Sequence, residues 1–200
     1  REPKIPSAPV LFTKAPTTVN GPFDAVPVDR TVTTQVDWEA ELGVIIGITG
    51  KNITRANALS HVFGYTVIND VSARDWVEHF RRTGNPDLNR AGKQFPGFTP
   101  LGPCIVTRDE IPDPHALTLK TSLNGKLMQD AHTSNLIYRI PELISYFSQW
   151  YCFEPGDILT TGSPSGVGFG RKPPVFMKPG DLVEIEVSGV GTLSNPIVAG

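Results

Sequence analysis

The chain has little cysteine. Cys104 and Cys152 are the only two among 200 residues, far apart and in no C-x-x-C. That excludes a cysteine-built zinc site and a C-x-x-C redox pair, and two unpaired thiols are expected. Long apolar runs are missing too. None approaches the roughly 18 residues of a membrane-spanning helix, and the opening "REPKIPSAPVLF" has no signal-peptide core. Charge of one sign is not in excess. Lys and Arg number 18 against 20 Asp and Glu, a net charge of −2. Such a balance gives no electrostatic reason to expect nucleic acid or a membrane surface as partner. Residues 1–200 hold no repeat, low-complexity tract or linker-like stretch, so one domain is expected. With reduced thiols and no membrane signal, the expected setting is the cytoplasm, or the mitochondrial matrix in a eukaryote.

What is present is a pattern of short β-branched runs between turn residues, with 19 Gly and 19 Pro spread along the chain. "GVIIGI" from Gly43 is continuously apolar and suits a buried strand, and "GYTVINDV" from Gly64 suits another. Asn124-Gly125 lies between two strand-like arms and predicts a type I′ hairpin. "GDLVEIEVSGVGTLSNPIV" reads as a second hairpin, turning at Gly189–Gly191. Three short helices are expected: one capped by Thr54, one capped by Ser72 and ending before Gly84, and "IPELISYFSQW" with Pro141 in its first turn. Leu143, Ile144, Phe147 and Trp150 form the apolar stripe of the third.

"VDWEAELGVIIG" poses the functional question. Asp37, Glu39 and Glu41 alternate, so a strand would place all three acids on one face. A solvated edge is the ordinary reading. Against it, like charges on one face repel unless something neutralises them, and the strand runs straight into a buried stretch. Acids at the mouth of a buried strand suit a hard cation such as Mg²⁺, Mn²⁺ or Ca²⁺. Asp70, ending the apolar strand of "VINDVSARD", is the candidate to complete the set.

Five motifs then occur in order: "DWEAELGVIIG", "GYTVINDVSARD", "GKQFPGFTPLGP", "TTGSPSGVG" and "KPGDLVEIEVSGVGTL". Together they resemble the catalytic domain of the fumarylacetoacetate hydrolase superfamily, from about Pro9 to the end. The resemblance implies a β-rich α+β fold, an irregular mixed sandwich or roll with about three short helices, assembled as a homodimer. It implies that Glu39, Glu41 and Asp70 hold one Mg²⁺ or Mn²⁺ and leaves Asp37 flanking. It gives catalytic and substrate-binding roles to Lys93 and Arg74, and places Thr161 and Gly162 at the substrate carboxylate. The implied substrate is a small 2-oxo acid.

The activity implied first is C–C hydrolysis of acylpyruvate-type 2,4-dioxo acids, with decarboxylation of oxaloacetate through the same enolate. An isomerase, hydratase or lyase acting on a dicarboxylic 2-oxo acid is the alternative, and a catalytically weak metal-binding module is a third reading. Two departures from the family pattern bear on the choice. Hydrolytic members carry an upstream Y-x-x-H-x-x-E whose His–Glu pair activates water, and no such stretch occurs here. Either an upstream segment supplies the pair or the protein works without it. Val77 stands where many acylpyruvate hydrolases have Gln, which points to a different substrate end or a less polar pocket. Of the four histidines, His61 and His79 fall on expected helices, His115 follows Pro114 in a loop, and His132 is the candidate to reach the pocket.

Overall fold

A computed structural model describes residues 5–77, 79, 83–84 and 86–200. Twelve strands and several short helices are described. The strands are β1 (Val19–Asn20), β2 (Val26–Val28), β3 (Val36–Asp37), β4 (Ala40–Ile46), β5 (Val62–Asn69) and β6 (Ser72–Ala73). They continue with β7 (Thr99–Thr107), β8 (Thr118–Leu123), β9 (Lys126–His132), β10 (Ile158–Thr160), β11 (Leu182–Val187) and β12 (Gly191–Ala199). One five-stranded sheet has the order β1-β7-β5-β4-β10, another β2-β12-β11-β8-β9, and β3 pairs with β6. This is the β-rich mixed architecture expected.

The sheets pack around a continuous apolar core. Trp38, Leu42, Tyr65, Phe98, Ile144, Ile185 and Leu193 are essentially inaccessible to solvent, and burying each large apolar side chain contributes about 1.5–3 kcal/mol. Every residue of β4 is buried, Glu41 included; the expected apolar run from Gly43 stays buried to Ile46, and Ile48 beyond the strand is 55% exposed. The hairpin at Asn124-Gly125 has φ of 51° and 75° at these two residues, the left-handed pair that a type I′ turn requires.

The helices differ from expectation in detail. Residues Arg55–His61 form a 3₁₀ turn, and the Thr54 side chain makes no capping bond. Ser72 belongs to β6, and helix α1 starts at Arg74, described over Arg74–Val77. The Ser72 hydroxyl instead donates to Asp70 O and accepts from Lys93 Nζ, both at 2.9 Å. Positions 78, 80–82 and 85 of the expected helix and its breaker lie outside the described residues. Helix α2, Ile140–Phe147, buries Ile140, Leu143, Ile144 and Phe147. The Arg139 N–H donates to Glu142 Oε2 at 2.9 Å, which satisfies one free donor at the helix start. Trp150 remains 55% exposed, past the end of the helix. No described helix is long and apolar enough to cross a membrane.

Strand register positions the site. β4 and β5 run antiparallel with Ala40 opposite Asn69, so β4 begins where β5 ends. The Asp70 N–H bonds Glu39 O at 2.9 Å. The pairing resumes in β3–β6, with Asp37 opposite Ser72, and brings Arg74 beside Asp37. On its other side β4 pairs with β10, Gly43 opposite Thr160. This delivers Thr161 and Gly162 to the same end of β4.

Candidate functional site

Glu39, Glu41 and Asp70 converge where β4 begins and β5 ends. Each offers a carboxylate oxygen, and these oxygens lie within 4.8 Å of one another. Glu41 and Asp70 are buried. Crowding unit charges at such distances costs on the order of a few kcal/mol per pair, so compensation is required. Lys14 Nζ bonds Asp70 Oδ1 at 2.6 Å and Phe98 O at 2.9 Å. Lys93 Nζ bonds Glu39 Oε2 at 2.7 Å, the Ser72 hydroxyl, and Asp70 Oδ2. Arg74 bonds Asp37 Oδ2 through Nε at 2.8 Å and Glu39 Oε1 through Nη1 at 2.7 Å.

Four carboxylates, counting Asp37, thus face three cations among the described residues. Glu41 has no ion pair there. Its Oε2 accepts only the Gly162 N–H, at 2.9 Å. Its carboxyl is pushed up to about 8, first by burial and then by the charges of Asp70 and Glu39. A buried, all-oxygen, electron-rich trio short of positive charge fits a hard divalent cation.

The cationic side chains respond differently. Burial pulls Lys14 below the ordinary lysine value, with Asp70 offsetting part of the effect. Burial acts on Lys93 as well, but Glu39 and Asp70 outweigh it and the net shift is upward. Arg74 likewise rises, since Glu39 and Asp37 overcome its burial. Its Nη2 is buried with no hydrogen-bond partner among the described residues, a donor left without an acceptor.

The seven residues to which the resemblance gives site roles line one cleft of about 1330 Å³: Glu39, Glu41, Asp70, Arg74, Lys93, Thr161 and Gly162. The Thr161 hydroxyl donates to Leu42 O at 3.0 Å, which anchors the start of the glycine-rich loop. His132 also lines the cleft, its Nδ1 2.8 Å from the Ser134 hydroxyl. His115 does not. It is buried beneath α2, where Nε2 accepts the Ile140 N–H at 3.2 Å. Val77 packs toward Gly92, where a Cβ would meet Val77 Cγ2 at 2.9 Å. It is not among the described cleft-lining residues.

Two features escape the sequence reading. Asp37 flanks the trio as expected, but its complete burial and its ion pair with Arg74, where the strand breaks at Trp38–Glu39, are not foreseen from the sequence. Lys14 is the other. The Gln94 side chain holds its segment, accepting the Ala15 N–H and donating to Thr13 O, both at 2.8 Å. The available signal was one lysine among apolar and proline residues in "PVLFTKAP".

Fold and site define a β-rich protein with a pocket of three carboxylates that could hold a metal ion, ringed by two lysines and an arginine. A sequence model described as fumarylacetoacetate (FAA) hydrolase C-terminal matches residues 1–198, and the chain belongs to that family. A mitochondrial oxaloacetate tautomerase of Xenopus laevis is 44% identical over 194 residues, 97% of this chain and 59% of that protein. The chain therefore spans about three-fifths of the length of such relatives. A fumarylacetoacetate hydrolase of Exiguobacterium antarcticum superposes with TM-score 0.88 at 42% identity, covering 96% of this chain and 66% of that one. A 5-carboxymethyl-2-hydroxymuconate delta-isomerase of Mycobacterium smegmatis superposes with TM-score 0.85 at 36% identity, covering 100% and 73%.

Proposed function

We propose that the protein is a divalent-cation-dependent enzyme that interconverts enol and keto forms of a small dicarboxylic 2-oxo acid such as oxaloacetate. The observation that carries this reading is the Glu39–Glu41–Asp70 trio with Lys14 and Lys93 bonded to the two oxygens of Asp70. The resemblance alone puts C–C hydrolysis first. The tautomerase and isomerase relatives, and the chemistry of the described side chains, put proton transfer ahead.

Glu39, Glu41 and Asp70 would hold the cation, Mg²⁺ or Mn²⁺. When bound, it supplies Lewis acidity to the carbonyl and carboxylate oxygens of the substrate. Lys93 and Arg74 place fixed positive charge where an enolate develops negative charge. Thr161 and Gly162 meet the substrate carboxylate at the start of a loop whose glycines let backbone approach closely. Moving a proton at carbon needs a group that can give and take one near neutral pH. Lys14, which lines the cleft beside Asp70, is the side chain given that role here. Tautomerisation, unlike hydrolysis, requires no activated water.

The second reading is hydrolysis of an acylpyruvate with a bulky acyl end. Leu119, Leu136, Leu143, Phe147, Phe153 and Leu159, which also line the cleft, favour it. A homodimer belongs to the same proposal. Phe63 and Ile105 are half exposed, on the adjacent strands β5 and β7, and assembly would cover such surface.

The test is to add enol-oxaloacetate to the purified chain with Mn²⁺ and follow the loss of enol absorbance, then to assay pyruvate release from an acylpyruvate series. Cation-dependent enol loss without pyruvate supports the tautomerase. Pyruvate release that rises with acyl length favours the hydrolase. Neither activity contradicts both.

A further inference from the structure

Asp37 is the acid left outside the carboxylate trio, and it is completely buried. Its two oxygens serve different parts of the fold. Oδ1 accepts the N–H groups of Trp38 at 2.9 Å and Gly168 at 2.6 Å. Oδ2 accepts the Phe169 N–H at 2.9 Å and Arg74 Nε at 2.8 Å. The Gly168–Gly170 turn lies at the far end of the loop that opens with Thr161. A Cβ at position 168 would lie 2.8 Å from Asp37 Oδ1 and 1.9 Å from Val175 O, so this approach requires glycine. The ring of Phe169 then faces Arg74, with Cζ 6.0 Å from its centroid.

Arg74 is consequently held at two points. Nε is fixed on Asp37, and Nη1 reaches Glu39 Oε1 at 2.7 Å. A planar guanidinium pinned at one edge cannot swing as a singly paired cation can. Its hold on Oε1 leaves Oε2, the oxygen bonded by Lys93, directed into the cluster. Losing a group that orients a metal-binding side chain typically costs about 10–100-fold in metal affinity.

We infer that Asp37 is a positioning residue. Through Arg74 it sets the orientation of the Glu39 carboxylate, and through Gly168 and Phe169 it ties that orientation to the substrate loop. The role rests on the reading of Glu39, Glu41 and Asp70 as a divalent-cation site.

The test is a double-mutant cycle read by calorimetric titration of Mn²⁺ into the metal-free chain. Asp37→Asn, Arg74→Ala and the double variant are compared, with thermal melts to verify folding. Asn keeps the size and an acceptor oxygen for the Trp38 and Gly168 N–H groups but presents its amide N–H to Phe169 N–H and Arg74 Nε, donor against donor. Asp37→Asn should weaken Mn²⁺ binding about 10–100-fold when Arg74 is present. In the Arg74→Ala background the same change should alter affinity by no more than about twofold, because the connecting group is gone. Equal losses in both backgrounds, or no loss with Arg74 present, would overturn the role. If Asp37→Asn does not melt cooperatively, Asp37→Ser takes its place; if neither folds, Asp37 is a folding residue and the positioning role fails. A parent chain that binds no Mn²⁺ would overturn the cation-site reading itself, and this role with it.

Discussion

Lys14 Nζ stands 2.6 Å from Asp70 Oδ1, while Lys93 Nζ bonds the other oxygen of the same carboxylate. The two lysines are not equivalent. Burial lowers Lys14, whereas Glu39 and Asp70 overcome burial at Lys93 and raise it. The proposed function gives proton exchange to Lys14 and a fixed charge to Lys93. Lys14→Arg preserves charge but not proton exchange, so it should lower turnover about 10²-fold or more, with Mn²⁺ affinity little changed. Steady-state rates beside Mn²⁺ titrations check this. Full turnover in Lys14→Arg would remove the proton-transfer role.

Glu41 sets stability against cation binding. It is buried beside two other carboxylates and has no ion pair among the described residues. Glu41→Gln keeps the shape and an acceptor for the Gly162 N–H while removing the charge. The metal-free variant should melt about 2–4 °C higher, the equivalent of roughly 1 kcal/mol in a chain of this size. Its Mn²⁺ affinity should fall by at least about tenfold. Melting in a chelator and titration with Mn²⁺ read the two effects separately, and a lower melting temperature without metal would contradict the charge argument.

His115 links pH to stability away from the cleft. Its Nε2 accepts the Ile140 N–H at the start of α2, and its Nδ1 lies 3.3 Å from Asp113 Oδ1. Burial pulls its pKa below 6.5; Asp113 and Glu142 oppose this, and the Arg139 charge adds to it. A base depressed in the folded state contributes stability that is present above its unfolded value and lost as pH falls through the folded one. Stability should therefore decline as pH drops below about 6.5. His115→Gln, which cannot take up a proton there, should flatten that part of the curve. Urea melts across pH 4–8 test it; an unchanged slope would assign the acid sensitivity elsewhere.

Much of this molecule is legible in its sequence because local rules and tertiary packing agree. The apolar stretch of β4 from Leu42 to Ile46 is buried, and Asn124-Gly125 turns the hairpin because both residues tolerate positive φ. Glu39, Glu41 and Asp70 meet because antiparallel pairing brings the start of β4 to the end of β5. Ser72 misleads, since a hydroxyl before a polar stretch looks like a helix cap, whereas here it accepts from Lys93. Asp37 looks like a third member of an alternating face until the strand breaks at Trp38 and sends it to Arg74 and the Gly168 turn. Lys14 contacts Asp70 across 56 residues, and no local pattern encodes a pairing of that length.

The central claim is a cation-dependent 2-oxo acid site, and calorimetric titration of Mn²⁺ with and without oxalate tests it most directly. Oxalate presents the paired oxygens of a pyruvate enolate. The account predicts one Mn²⁺ per chain, bound more tightly with oxalate, and loss of both effects in Glu39→Ala while the fold persists by circular dichroism. Absence of Mn²⁺ binding under either condition, or undiminished binding in Glu39→Ala, would contradict it.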